Sequence, residues 1–479
     1  MQAYKKWSWS ILIIGAALRT VQYLYNRSLW TDEATLALNI VNKNFHEFFF
    51  PLDYEQGAPI GFLIIEKLAI SFLGNHDYIL RLFPFLCSLI SLILFFSVAQ
   101  WFIKQKMIPL ALCFFSLSYH ILYYATECKQ YSSDVAITLL LYATIIHVVS
   151  SGYRLSQILI LGLISNIAIW LSHPSLFIIA GSNIVILLRL LKDKKNKKSA
   201  HWFLFLCSLE MINFLVLYSV SLRTLFDSTH LVILEGWTFA YMPFPPRSPA
   251  DFKWFISNFF GIFKHPGGLI PSLSVFPFFI GCITMVREKN DNFLLLALPL
   301  FLTLLASGLH LFPFSGRLIL FIVPILLLWI TKGIEKISEY SSIVGVALTA
   351  AMLCFPILSA TRYLMYPRTK EEIKPIMAYL KKNKRPEDII YLQDAAKFSF
   401  QYYSNQYGFQ KSEYVTGEGK DLKKFQGRKR FWIVFSHVES IVYNKKYLTL
   451  LYLDTIGKKL DSFIQTGTEV YLYDLSKIS

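Results

Sequence analysis

Ser28-Leu29-Trp30-Thr31-Asp32-Glu33-Ala34 places two adjacent carboxylates directly after the first long apolar run of the chain. Carboxylates at the edge of a bilayer are costly, and a chain that is 54% apolar can easily omit them there. The run before them covers residues 7–25, and long apolar runs recur after them to about residue 360. The pattern predicts a helical polytopic membrane protein whose chemistry begins at one membrane edge.

Composition agrees. Only 16% of the 479 residues are charged, against about 25% in a soluble domain, and mean hydropathy is +0.45. The net charge of +16 is dispersed, with many Lys and Arg in short turns between apolar runs. That is topology and membrane-surface charge, and it argues against a nucleic-acid partner. Cys87, Cys113, Cys128, Cys207, Cys282 and Cys354 lie in or at the edge of apolar segments without metal-ligand spacing. They read as small buried hydrophobes.

Eleven spanning helices are expected, near residues 7–25, 78–102, 108–124, 131–149, 155–172, 175–191, 202–220, 270–286, 293–309, 316–331 and 340–359. Arg19 interrupts the first run and no small-residue cleavage site follows, so it reads as a retained anchor. Lys5/Lys6, Lys104/Lys106, Arg154, the cluster 192–198, Arg287/Lys289 and Lys332/Lys336 fall on one side, which becomes cytoplasmic. The N-terminus is then inside and the C-terminal part outside. The outer face collects residues 30–77, the turn 126–131, the turn Ser172-His173-Pro174, the loop 221–269 and the turn 310–317. Within the first of these, residues 59–72, with Glu66 and Lys67 in the middle, predict an amphipathic helix on the membrane surface.

From about residue 366 the composition changes, so the domains are expected to be 1–365 in the membrane and 366–479 outside it. Residues 367–479 hold 20 Lys and Arg against 13 Asp and Glu and no run long enough to span. Strands are expected near 388–392, 430–435 and 469–473, and helices near 395–407 and 443–459, giving a small α/β domain. It carries no Gly-rich phosphate loop and no Ser-His-Asp arrangement. No internal repeat is evident, which weighs against a transporter.

Asp32 and Glu33 have two readings. Acids in a first turn, with Thr31 as cap, simply favour the helix dipole. A carboxylate in a partly dry cleft can instead take a proton from an acceptor hydroxyl. Neighbouring helix positions point about 100° apart, so one of the two would face the cleft. On a helix Glu127, Tyr131 and Asp134 would share one face, with Lys129 pointing elsewhere and Asp134 about 10 Å deeper than Glu127. Arg19, Lys67, Arg81, Lys129 and Arg317 lie near the outer boundary, against the positive-inside trend. Each alone could snorkel; together, beside acids, they suit a phosphate. Arg317 leads, then Lys129, then Arg81. His173 reads as a helix-end packing residue or as a group that orients substrate, and His120 is a weaker version of the same. Asp53-Tyr54-Glu55 is like the acidic triplet that holds nucleotide-sugar metals, a pattern common by chance.

Taken together, these segments resemble the C-type superfamily of membrane glycosyltransferases, and within it the protein O-mannosyltransferase and lipid A aminoarabinose transferase kind. The matching pieces run in order: Leu29-Trp30-Thr31-Asp32-Glu33-Ala34, Ala58-Pro59-Ile60-Gly61-Phe62, Arg81-Leu82-Phe83-Pro84, Glu127-Cys128-Lys129-Gln130-Tyr131, Leu171-Ser172-His173 and Gly316-Arg317-Leu318. The chain departs from the family's frequent Pro-Pro at Ala58-Pro59, from Glu-Ala-Arg at Glu127-Cys128-Lys129, and from Arg-Tyr at Arg317-Leu318. Lys129 keeps the charge but not the bidentate fork.

The resemblance implies inverting transfer of a sugar from a polyprenyl phosphate to an acceptor glycan, lipid or protein on the outer face of a bacterial cell membrane. It assigns Asp32, Glu33 and Glu127 to catalysis and Arg317, Lys129 and Arg81 to the donor phosphate. His173, Tyr131, Asp134, Lys67 and Arg19 become further substrate contacts. No cofactor is required; a divalent metal is compatible with the acidic cluster. The rival reading is a lipid-linked sugar flippase or a transporter, in which acids and cations line a substrate path.

Overall fold

Gly281 and Gly333 explain how the membrane part closes on its core. A Cβ on Gly281 would lie 1.8 Å from the Trp329 carbonyl oxygen, and one on Gly333 would lie 1.7 Å from that of Pro277. Two helical backbones therefore touch directly, as small residues allow between spanning helices. The computed structural model describes residues 2–192, 197–223, 237–419, 421–437 and 442–476. The described chain divides into two compact units: residues 1–24, 44–74 and 78–367 form one, and residues 25–43, 75–77 and 368–479 the other.

The first unit is a multi-pass helical assembly. Seven of its described helices are long and apolar enough to cross a membrane, with Leu155–Leu171 and Gln105–Leu117 as shorter apolar helices. The most enclosed is Gly316–Tyr340, whose apolar window is 94% buried. It begins as the 3-10 turn Gly316–Ile322 and continues as the α-helix Val323–Tyr340. The helical run Pro271–Gly308 counts 38 residues, which would be about 57 Å if straight. Yet Phe278 and Phe293 both pack on the Trp329 ring, at 5.5 and 6.0 Å. Residues 15 positions apart would be separated by about 22 Å along a straight helix, so the run folds back on itself between them. It corresponds to the two spans expected near 270–286 and 293–309.

Other expected spans are altered in detail. The run 108–124 is broken at Ser118 into Ile108–Leu117 and Tyr119–Tyr124. The helix Gln2–Leu24 exists, with Arg19 fully buried in it, but is not among the seven. The helix Ile60–Leu73 also exists, yet Glu66 is turned inward while Leu68, Phe72 and Leu73 face out. That is the inverse of a helix presenting charge to water. Parts of the expected cluster 192–198 and loop 221–269 lie outside the described residues.

The second unit is built on a five-stranded sheet in the order β2-β1-β3-β5-β4: β1 Ile389–Gln393, β2 Tyr414–Gly417, β3 Phe431–Ser436, β4 Lys458–Gln465 and β5 Thr468–Asp474. β1 runs parallel to β2 and β3, whereas β5 is antiparallel to β3 and β4. β3, Phe-Trp-Ile-Val-Phe-Ser, is buried throughout, as expected of a strand covered on both faces. Tyr379 of the helix Ile373–Asn383 meets Trp432 on one face. Leu453 of the helix Val442–Ile456 joins Tyr391, Ile433 and Tyr473 in the other core. The helix expected over 443–459 stops earlier, because residue 458 already pairs in β4.

This unit also takes in residues 25–43 and 75–77, which the composition change at 366 had left with the membrane part. Tyr403 Oη accepts from the Leu29 amide at 2.8 Å and donates to Asp77 at 2.7 Å. Lys374 Nζ reaches Asp77 at 2.9 Å and the Asn26 carbonyl at 2.6 Å.

Candidate active site

In the first unit the segment 121–139 is buried at every position, including its non-helical turn at 125–130. Connecting turns normally run over the surface, where water satisfies their backbone. Burying a turn that carries Glu127 and Lys129 is therefore a costly choice. Lys129 Nζ donates to Gln56 Oε1, and Gln130 Nε2 reaches the Gly57 carbonyl at 3.5 Å, so the turn is tied to the loop before Pro59.

The helix starts at Tyr131, not at Glu127, because the Lys129 amide bonds back to the Glu127 carbonyl at 2.6 Å. This corrects the expected shared face. Tyr131 and Asp134 lie on the helix, Glu127 lies in the turn, and Asp134 belongs to the helix's first turn rather than to a deep layer.

The Arg317 guanidinium lies 5.5 Å from the Tyr131 ring centre, a cation–π contact across two elements. Tyr131 in turn packs edge-on to Tyr124 at 5.4 Å. His120 and His265 meet at 4.0 Å, and Tyr124 packs against both. His265 escaped the sequence reading, although its setting, His265-Pro266-Gly267-Gly268, is an obvious turn. Arg81, Glu127, Lys129 and Asp134 are buried; Arg317, His173 and Lys67 are half-buried.

Several polar atoms of this unit are enclosed with no hydrogen-bond partner among the described residues: both carboxyl oxygens of Glu66, Oδ1 of Asp134, Nε2 of His173, and Nε and Nη2 of Arg19. Arg19 Nη1 donates to the Gly15 carbonyl at 2.9 Å. Cys87 lies within electrostatic reach of both Glu66 and Asp134, and Tyr23 within that of Glu66 and Arg81. Glu210, in contrast, is satisfied by Ser165 and by Asn183 at 2.6 Å, which accounts for it structurally. Asp53-Tyr54-Glu55 forms a turn with positive φ at Tyr54 and Glu55.

Asp32 and Glu33 belong to the second unit, in the first turn of the helix Thr31–Asn42. Thr31 does not cap it. Its amide and hydroxyl lie 2.9 Å from Glu371 Oε2, so a distant carboxylate occupies the helix N-terminus. Glu33 is fully buried, with Arg27 Nε 4.0 Å from its Oε2. Asp32 is half-buried. Of the two acids, Asp32 is the more accessible.

Among the described residues, no three His, Cys, Asp or Glu side chains gather as a metal site. No protein-family model and no curated protein sequence matches the chain. Solved structures do, and the fold they share with it is that of the C-type membrane glycosyltransferases. ArnT from Cupriavidus metallidurans in the apo state is similar over 96% of this chain and 97% of its own, with a TM-score of 0.55 and 13% identity. The same protein bound to undecaprenyl phosphate aligns with a TM-score of 0.52 at 12% identity, over 96% of this chain and 97% of its own. The Archaeoglobus fulgidus oligosaccharyltransferase in its apo form covers 99% of this chain and 75% of its own, with a TM-score of 0.51 at 10% identity. That archaeal enzyme was also solved with Zn and sulfate, and with an inhibitory peptide and a dolichol-phosphate.

Proposed function

We propose that this protein is an integral-membrane glycosyltransferase that moves a hexosyl or pentosyl group from a polyprenyl phosphate to an acceptor hydroxyl. The acceptor would be a glycan, lipid or protein at the outer face of a bacterial cell membrane. The observation that carries the reading is the buried turn holding Glu127 and Lys129, with Arg317 packed on Tyr131 just beyond it. Similar folds solved with undecaprenyl phosphate and with dolichol-phosphate support a lipid phosphate as the anion those cations meet.

In this reading Arg317, Lys129 and Arg81 neutralise the phosphate as it leaves. The bond from the anomeric carbon to the phosphate oxygen breaks while the acceptor oxygen attacks from the opposite side, so configuration inverts. The acceptor proton passes to Asp32 as general base. A phosphate stabilised by fixed cations leaves without protonation, so no general acid is needed. Glu33, paired with Arg27, holds the first turn beside Asp32, and Glu127 orients Lys129. Tyr131 steadies Arg317, while His173, Asp134, Lys67 and Arg19 supply further substrate contacts. Among the described residues no three metal-ligating side chains gather, and no step is routed through a metal.

The test is release of free polyprenyl phosphate by purified protein in right-side-out vesicles, given polyprenyl phosphate-sugar and a membrane-impermeant acceptor. Release should require both substrates, and Arg317→Ala should lower donor use by about tenfold or more while sparing acceptor use. Activity with a nucleotide sugar alone, in membranes stripped of polyprenyl lipids, would overturn the proposal. Movement of intact lipid-linked sugar without transfer would favour the flippase.

A further inference from the structure

Glu371 of the second unit accepts hydrogen bonds at both of its carboxylate oxygens. Its Oε2 accepts from the Thr31 amide, the Thr31 hydroxyl and the Ser436 hydroxyl, each at 2.9 Å, and its Oε1 meets His437 Nδ1 at 2.7 Å. Glu372 beside it accepts from the Ser28 hydroxyl at 2.8 Å and lies 3.3 Å from the Ser28 amide. Trp30, between these two anchors, stacks with His437 at 6.3 Å and lies under Lys370 Nζ at 3.5 Å.

Nothing in this arrangement is loose. The β4–β5 turn holds the segment from behind: the Glu372 amide donates to the Thr466 carbonyl, and Thr468 Oγ1 donates to the Glu372 carbonyl, both at 2.8 Å. Gly467 in that turn has φ +66°, and a Cβ there would lie 2.0 Å from the Lys370 carbonyl oxygen. The close approach that only glycine permits thus fixes where Glu371 stands.

We propose that Glu371 is the positioning residue for Asp32, acting through the first turn of the helix Thr31–Asn42, with Ser436 and His437 setting how firmly it grips. The second unit is then part of the catalytic apparatus rather than an appended domain. The inference rests on the reading of Asp32 as general base. His437 faces Glu371, Lys370 and Asp32, and its hydrogen bond to Glu371 raises its pKa above the ordinary 6.5. A raised folded value means that its contribution to the grip is complete below about pH 6.5 and is lost as pH rises through the raised value.

The experiment uses the full-length protein and two readouts. Hydrogen exchange of the peptide covering 29–36, corrected for intrinsic rates, reads the grip directly; steady-state kinetics read its effect on Asp32. Glu371→Ala should lose protection there and lower kcat by about tenfold or more, with donor KM changed less than about twofold. Ser436→Ala, which removes one bond and is the variant of choice if Glu371→Ala does not fold, should lower kcat by about twofold to fivefold. Glu371→Asp should recover part of both losses. His437→Gln should abolish the fall in protection with rising pH. Unchanged exchange in Glu371→Ala overturns the grip whatever the reaction proves to be. Lost protection with unchanged kcat, or a raised donor KM at constant kcat, overturns the positioning role. A wild-type protein that transfers no sugar sinks the proposed function instead, while exchange still tests the grip.

Discussion

Two sets of buried charge, one drawn from each unit, are held in opposite ways. In the second, Asp388 accepts from the Arg385 amide at 2.9 Å, from Arg430 Nε at 3.0 Å and from Trp432 Nε1 at 2.9 Å. Glu371 is similarly saturated. In the first, Glu66 is fully buried with neither oxygen bonded among the described residues, and Asp134, His173 and Arg19 each enclose polar atoms that no described residue bonds. Leaving such atoms unsatisfied costs about 1–3 kcal/mol each, more for charged groups, so folding alone does not select them.

Four substitutions bear on that contrast. The largest effect is expected at Asp388→Ala, which strands Arg430 and the Trp432 indole and should destabilise the second unit by about 3–5 kcal/mol. Thermal unfolding or limited proteolysis of the tail measures it, and a loss under about 1 kcal/mol would break the account of Asp388 as a saturated anchor. Next, Asp32→Asn keeps shape and removes the base, so turnover should fall by about 10²-fold or more with unfolding unchanged. Glu33→Gln should cost less turnover; the reverse ranking would exchange the two roles. Smallest is Glu66→Gln, which lifts the cost of an unpaired buried acid. It should leave stability unchanged or improved and lower turnover by about tenfold. A destabilised Glu66→Gln would put that carboxyl on the side of the fold and blur the contrast.

Much of the architecture was legible because hydropathy is a property of consecutive residues. The apolar runs announced the spans, and Ile389–Gln393, Phe431–Ser436 and Thr468–Asp474 announced three strands of the sheet. β4 was not legible: Lys-Lys-Leu-Asp-Ser-Phe-Ile-Gln is an exposed, charged edge strand without clean alternation. β2 is only four residues long. The helix Ile373–Asn383 buries Ile373, Ile376, Met377 and Leu380 at helical spacing, a signal that Pro375 in its first turn obscured. Asp32, Lys129 and Arg317 stood out as candidates because each sits in a short local motif. Glu371 did not, because its meaning lies in Thr31, 340 residues away. The turn at Glu127 was misjudged for a related reason: it is a buried non-helical turn, and burial is what local spacing cannot express.

That distance of 340 residues between Thr31 and Glu371 is also a distance in time. At about 5–20 residues per second, a ribosome needs about 20–70 s to reach Glu371 after making Thr31. The Trp-Thr-Asp-Glu motif is thus made long before the carboxylate that holds its first turn. Until Glu371 has been made, the acids sit on a helix end without that anchor.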